Sequence, residues 1–224
     1  MRMQFRDRYE AGELLAAKLI AYTQQPNVLV LALPRGGVPV GAQVARKLNL
    51  PLDVFVVRKL GFPGHPELAM GAIAAGGVRV FNGDVVNAFR IPAEVIDRVV
   101  AAEFQELKRR ERSYRDDLPP PTVVGKIVIL VDDGVATGST MLAAIAALRQ
   151  LGAGRIIVAA PTIARATYDH LRAESDEVVS VIVPTEFFGV GQWYQDFSQT
   201  TDEEVQQLLG PWNHQDKSAA VRLA

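Results

Sequence analysis

Residues 126–140 read KIVILVDDGVATGST, and this stretch decides the fold. It begins with a β-branched apolar run, residues 127–131, whose length is typical of a strand buried on both faces. Two adjacent carboxylates, Asp132 and Asp133, end that run, and an apolar helical pattern begins after Ser139. A strand that passes through a short loop into a helix is the repeating unit of α/β proteins.

The same alternation extends outward in both directions along the chain. Further strands are predicted at residues 28–33, 53–57, 155–160 and 178–183, with a third strand or a hairpin at 71–75 and 78–81. Helices are predicted near 9–22 and at 38–48, 92–114 and 139–151. Continuous apolar strands separated by helices predict an open, mostly parallel sheet with helices on both faces.

The chain divides by composition into a core, an appendage and a tail. Residues 1–183 carry the strand and helix pattern, whereas residues 184–212 hold six of the sixteen aromatic side chains. We therefore predict a core (1–183), a small C-terminal hood (184–212) and a flexible tail (213–224). The acidic residues 202–204 precede an apolar run, which indicates the start of a helix within the hood.

Composition excludes several classes of site. The 224 residues contain no cysteine, which excludes disulfides, thiolate zinc sites and a cysteine nucleophile. The chain has only three histidines, and they are widely separated in sequence. No run of 18 apolar residues occurs, so we expect no membrane partner and a cytoplasmic protein. The net charge of −1 argues against nucleic acid as a partner, and we interpret the basic cluster at 108–112 as the solvated face of a helix.

The loop after the acidic pair has the chemistry of a sugar-phosphate site. Gly134 and Gly138 allow a close approach of the backbone to a ligand, and the following helix N-terminus attracts anions. Hydroxyl donors are also present at residues 137, 139 and 140. The two carboxylates accept hydrogen bonds from sugar hydroxyls or lie near a hydrated Mg²⁺.

Residues 127–140 resemble the phosphoribosyl-diphosphate motif of the type I phosphoribosyltransferases, in which apolar residues precede two acids, a few small residues and Thr-Gly-x-Thr. The resemblance implies a Rossmann-like sheet, an Mg²⁺ cofactor and ribose contacts from Asp132 and Asp133, which would meet the metal through water or ribose hydroxyls. It also implies a loop for the 5-phosphate, made of Gly134, Val135, Ala136, Thr137, Gly138, Ser139 and Thr140.

Two earlier loops fit the same family. Arg35, Gly36 and Gly37 follow the first strand and resemble its pyrophosphate loop. Arg58 and Lys59 open the segment 57–71, which corresponds to a mobile loop that closes over the reacting centre; both cations would contact the diphosphate.

Details of these loops resemble adenine phosphoribosyltransferases most. Ala136 stands where hypoxanthine–guanine enzymes carry an aspartate, and Glu67 is the only acid in the mobile segment. By resemblance, Glu67 would act near the base. Trp193 and Tyr194 of the hood are candidates to stack on the base, and the alternative is that their rings form the small core that holds the hood in place. The C-terminal residues 187–197 are similar to a branch of bacterial phosphoribosyltransferases of unassigned substrate.

The expected partners are phosphoribosyl diphosphate and a heterocyclic base, with an adenine-like purine as the best candidate. Two other functions stay open: a regulator that senses phosphoribosyl diphosphate or nucleotides without turnover, and a hydrolase or phosphorylase acting on a ribosyl phosphate. A homodimer is one option for the assembly. The charge distribution fits the assigned contacts, because residues 1–60 carry a net +5 and residues 121–224 a net −5.

Overall fold

A computed structural model describes residues 4–62, 65–115 and 118–221, without the side chains of 65–68 and 213–221. The strands are β1 (Val28–Ala32), β2 (Leu52–Val54), β3 (Val57–Phe62), β4 (His65–Ala74), β5 (Val78–Phe81), β6 (Ile127–Val131), β7 (Arg155–Thr162) and β8 (Glu177–Ile182). The helices are α1 (Arg8–Lys18), α2 (Gly37–Leu48), α3 (Gly83–Ala88), α4 (Ala93–Arg115), α5 (Ser139–Gln150), α6 (Arg165–Glu174) and α7 (Asp202–Val221).

Five strands form a parallel sheet in the order β2-β1-β6-β7-β8, which confirms the predicted fold class. The chain runs from β1 outward to β2 and returns later to β6 on the other side of β1. The strand order therefore reverses between β1 and β6. In open α/β sheets, ligands bind at such a switch point, outside the carboxyl ends of the strands.

The two faces of the sheet are covered by different helices. Val28 and Val30 of β1 belong to a core that includes residues of α1, α2, α4 and α7. Leu29 and Leu31 point to the opposite core, which includes residues of α5 and α6. Because successive side chains of a strand alternate between faces, a strand buried on both sides must be apolar at every position.

A second, three-stranded antiparallel sheet (β3-β4-β5) corrects two sequence predictions. The strand predicted at 53–57 is shorter, since β2 ends at Val54: the N–H of Phe55 still donates to the carbonyl of Ala32 (3.0 Å), but the carbonyl of Val56 already accepts from the N–H of Ala75 (3.0 Å) beside the second sheet. The segment 57–71, predicted as a loop, is largely the β3–β4 hairpin, whose register shifts between Leu60 and Phe62. The hairpin predicted at 71–81 is confirmed as β4–β5.

The hood is tied to the N-terminus of the chain. The backbone N–H of Phe5 donates to the carbonyl of Trp193 (2.8 Å), and that of Gln195 donates to Phe5 (2.8 Å). The predicted helix start is confirmed, since the Thr201 hydroxyl accepts from the N–H of Glu204 (3.1 Å). Helix α7 continues into the predicted tail as far as Val221, and the boundaries between core, hood and tail stay a prediction.

Across the described part of the chain, every helix is too short or too polar to span a membrane.

Candidate active site

The loops that follow β1 and β6 meet at the switch point. The N–H of Leu33 donates to the carbonyl of Val131 (2.8 Å), which joins the end of β1 to the end of β6. A Cβ atom on Gly37 would lie 2.7 Å from that same carbonyl oxygen, and one on Gly36 would lie 2.1 Å from Oδ2 of Asp133. These two glycines are therefore required by the close approach of the first loop to the acidic pair.

The acidic pair is held in a fixed arrangement at the end of β6. The N–H of Asp133 donates to Oδ1 of Asp132 (2.9 Å), and Oδ2 of Asp133 accepts from Nε of Arg8 (2.8 Å). The side chains of Asp133 and Arg8 are 13% and 11% exposed. The site thus brings together two carboxylates that accept hydrogen bonds and one guanidinium that opposes their charge.

Burial dominates the ionisation of both carboxyls. Burial raises the pKa of Asp132 well above its usual range, and the adjacent charge of Asp133 raises it further. Burial also raises the pKa of Asp133, although the Arg8 guanidinium opposes that shift. When two neighbouring carboxyls have raised pKa values, hydroxyl donors or a cation bound beside them stabilise their ionised form.

The loop from Gly134 to Thr140 borders a cavity of about 160 Å³, which is also lined by Asp132, Met141 and Val190. Gly138 has a φ of 76°, a left-handed conformation that favours glycine, and helix α5 starts at the next residue. The Thr137 and Ser139 hydroxyls lie 3.3 Å apart beside this helix start. Hydroxyl groups and unpaired N–H groups at a helix N-terminus are the groups that bind a phosphate.

The same loop is anchored on its other side by the end of β7. The N–H of Val135 donates to the carbonyl of Thr162 (2.9 Å), and the N–H of Ala164 donates to Val135 (3.0 Å). A Cβ atom on Gly134 would lie 2.4 Å from Cγ1 of Val190 in the hood. Val190 of the hood therefore lines the cavity through a contact that only glycine permits at residue 134.

Two of the three cations predicted from the sequence are paired with acids of surrounding helices. Arg35, which follows a cis peptide bond, lies 3.6 Å from Oδ1 of Asp202 in α7. Arg58 forms an ion pair with Glu103 of α4 (2.8 Å). Lys59 is exposed on β3. The side chain of Glu67 lies outside the described residues, so its role near a base stays a prediction.

The two hood aromatics chosen as stacking candidates have a different position. Trp193 and Tyr194 are 3% and 4% exposed and pack with Phe5 and Ala11 in a small separate core. Neither ring presents a free face to a ligand in this structure, which supports the alternative of a small hood core over stacking on a base. The Tyr194 hydroxyl instead donates to the carbonyl of Asp133 (2.6 Å), so that the hood supports the acidic pair.

Arg8 and Val190 contribute to the site but were missed by the sequence reasoning. Both belong to segments far from residues 126–140 in the chain. Arg8 lies in no recognised motif, and the stretch 187–197 that contains Val190 indicated a branch of the family but no role for this residue. The excess of positive charge in residues 1–60 was the only signal that pointed toward Arg8.

An Mg²⁺ ion fits this donor set only if a substrate supplies further ligands. No group of three or more His, Cys, Asp or Glu side chains suited to a metal occurs within residues 4–62, 65–115 and 118–221. Asp132 and Asp133 provide carboxylate oxygens, the ligand type that Mg²⁺ prefers. The ion is commonly bound by one or two carboxylates together with substrate phosphates and water.

Comparison with known proteins agrees with this geometry. The family described as "Phosphoribosyl transferase domain" matches residues 4–196. Two Mycobacterium tuberculosis proteins, "Putative phosphoribosyl transferase MT0597" and "Putative phosphoribosyl transferase Rv0571c", are 45% identical over 205 residues, which cover 92% of this chain and 46% of each relative. The chain thus spans about half the length of these curated relatives.

A solved structure extends the comparison to the fold. The crystal structure of TT1426 from Thermus thermophilus is 41% identical, with a TM-score of 0.84, and the match covers 94% of this chain and 99% of that one. The matched residues 4–196 include the acidic pair, the loop at 134–140 and Arg8. From the site, the fold and these matches together, the chain belongs to the phosphoribosyl transferase domain family.

Proposed function

We propose that this chain transfers a 5-phosphoribosyl group from phosphoribosyl diphosphate to a nitrogen atom of a heterocyclic base and releases pyrophosphate. An adenine-like purine is the proposed acceptor. The observation that carries the proposal is the meeting of the acidic pair, the glycine loop after β1 and the phosphate loop at one switch point of the sheet.

The chain's residues would position the sugar from two sides. Asp132 and Asp133 would accept hydrogen bonds from the ribose 2- and 3-hydroxyls, while the loop at 134–140 and the start of α5 would hold the 5-phosphate. The base nitrogen then attacks C1, the C1–oxygen bond to the diphosphate breaks, and its electron pair leaves with pyrophosphate; the proton of the attacking nitrogen passes to pyrophosphate or to solvent. The ribose ring becomes cationic in the transition state, and the nearby carboxylates stabilise that charge.

The leaving diphosphate would be met by the cations of the first loop and the hairpin. Arg35 lies in the loop after β1, and its contact with Asp202 is long and half-exposed, so a diphosphate can replace it. Arg58 would likewise exchange Glu103 for the ligand, with the β3–β4 hairpin closing over the centre. Mg²⁺ bound with the diphosphate would neutralise part of the leaving-group charge.

An RNA-binding regulator is expected to have a surface of unpaired basic side chains, and the basic cluster of this chain does not fit that expectation. Within the basic cluster at 108–112, Arg109 and Arg110 both pair with Glu106 of the same helix, and Lys108 lies 4.5 Å from the ring centre of Phe104. These contacts support the interpretation of a solvated helix face and favour the enzyme over the regulator.

The direct test is release of pyrophosphate from phosphoribosyl diphosphate with Mg²⁺ across a panel of purine and pyrimidine bases. We expect release with at least one purine and none without Mg²⁺. Binding without release, for every base of the panel, would favour the sensing function instead.

Asp133→Asn tests the role of the acidic pair in the same assay. The substitution removes a charge that the cationic transition state needs, so turnover should fall at least about tenfold while the chain stays folded. Asp169→Asn, at an exposed position on α6, is the matched control and should retain full turnover. Wild-type turnover in Asp133→Asn would remove this carboxylate from the mechanism.

A further inference from the structure

Arg8 lies outside the motif at 126–140, but its side chain forms part of the acidic site. Its Nε donates to Oδ2 of Asp133 (2.8 Å), and its Nη1 donates to the carbonyl of Ser198 in the hood (2.7 Å). The guanidinium carbon lies 4.1 Å from the ring centre of Phe197. Two hydrogen bonds and a ring therefore fix the guanidinium in one orientation.

The backbone that carries Arg8 is fixed as well. Asp7 caps helix α1, since its side chain accepts from the N–H of Glu10 (2.8 Å), and Arg8 is the first residue of that helix. The preceding residues are bound to the hood, where the N–H of Asp196 donates to the carbonyl of Arg6 (2.9 Å). The start of the chain and the hood thus form one support for a single side chain at the site.

Asp133 depends on this support for its orientation. Its Oδ2 lies between Nε of Arg8 and the backbone of Gly36, where a Cβ atom would be only 2.1 Å away. The Tyr194 hydroxyl holds the backbone carbonyl of the same residue. A carboxylate that is almost buried beside Asp132 would be repelled by it and would rotate away unless a cation held it.

We propose that Arg8 is a positioning residue of the phosphoribosyl site, which holds the Asp133 carboxylate in the orientation that binds the ribose. This inference rests on the proposed function, since it assumes that Asp133 contacts the ribose of phosphoribosyl diphosphate. Arg8 acts through Asp133 and does not touch the reacting atoms. The hood and the N-terminus thereby become parts of the donor-sugar site.

The experiment measures binding of phosphoribosyl diphosphate with Mg²⁺ by titration calorimetry, without a base. Arg8→Met should raise the dissociation constant about tenfold or more, and Arg8→Lys should give an intermediate rise, because it keeps the charge but loses the fixed fork of donors. Arg172→Met is the matched control: Arg172 is exposed in the last turn of helix α6, outside the segments that support Asp133, and wild-type affinity is expected.

A double-mutant cycle separates positioning from a general loss of structure. If Arg8 acts through Asp133, then Arg8→Met in the Asp133→Asn background should weaken binding no further than Asp133→Asn alone. Additive losses would overturn the proposal, as would wild-type or tighter binding by Arg8→Met. Should Arg8→Met fail to fold, Arg8→Lys is compared across the same cycle with the same criteria.

The failure of this inference is distinct from failure of the proposed function. If the wild-type chain does not bind phosphoribosyl diphosphate with Mg²⁺, the proposed function is overturned, and the role of Arg8 with it. If the wild type binds and Arg8→Met binds equally well, only the role of Arg8 is overturned.

Discussion

Gly36→Ala is the substitution whose effect follows most directly from the geometry of the site. Gly36 has φ −59° and ψ −31°, a conformation that alanine adopts without backbone strain. The new methyl group would lie 2.1 Å from Oδ2 and 2.7 Å from Cγ of Asp133, whereas ordinary contact begins near 3.4 Å. The whole effect should therefore come from the displacement of one carboxylate.

The magnitude follows from that overlap. The carboxylate must retreat by about 1 Å, against the hydrogen bond from Arg8, and a misplacement of this size costs on the order of 100-fold in kcat/KM. Overpacking of this kind destabilises the fold by about 1–3 kcal/mol. We thus expect a folded protein with a slightly lower melting temperature and a large loss of activity.

The assay is kcat/KM for phosphoribosyl diphosphate in the pyrophosphate-release reaction, together with urea unfolding. Gly83→Ala is the control, because a Cβ atom there has no heavy atom within 4 Å and the residue begins helix α3. That variant should keep its activity and be as stable as the wild type or slightly more so. Full kcat/KM in Gly36→Ala would refute the placement of Asp133 at the ribose.

Three further substitutions test the packing of the fold and of the site. Arg115→Met removes the two hydrogen bonds that the buried guanidinium donates to the Asp53 carboxylate (2.9 and 2.7 Å), and urea unfolding should show a loss of about 3–5 kcal/mol. Tyr194→Phe removes the donor to the Asp133 carbonyl, and the same measurement should show a loss of about 1–2 kcal/mol; no loss would mean that the hood does not support the acidic pair through this bond. Gly134→Ala places a methyl group 2.4 Å from Val190 and should lower the melting temperature, whereas adding Val190→Ala should restore most of it. Failure of that second change to restore stability would place the strain elsewhere.

Much of the fold could be predicted because its signals are local. The continuous apolar runs at β1, β6 and β7 can be satisfied only by strands covered on both faces, and the structure has all three in a parallel sheet. The helix after Gly138 begins where the sequence indicated, because glycine allows the left-handed turn there. The acidic pair and the loop at 134–140 lie at the end of β6 for the same local reason.

Other features could not be read along the chain. The apolar residues Phe55 and Val56 resemble a continuation of β2, and only the hydrogen bonds show that the backbone passes there from β1 to the second sheet, since Phe55 donates to Ala32 and Val56 accepts from Ala75. Trp193 and Tyr194 have the composition of a stacking platform, yet Phe5 covers them from the other end of the chain. The pattern and composition of a segment do not predict which distant segment will bury its aromatic side chains.

The sequence by itself therefore determined the parallel sheet, the acidic pair and the glycine loops, because each depends on neighbouring residues and on the period of a strand or helix. Only the tertiary structure decided that Arg8 pairs with Asp133 and that Val190 closes over Gly134. These contacts join residues separated by 125 and by 56 positions. No local pattern specifies such pairs, since their approach is set by the packing of the hood and helix α1 against the sheet.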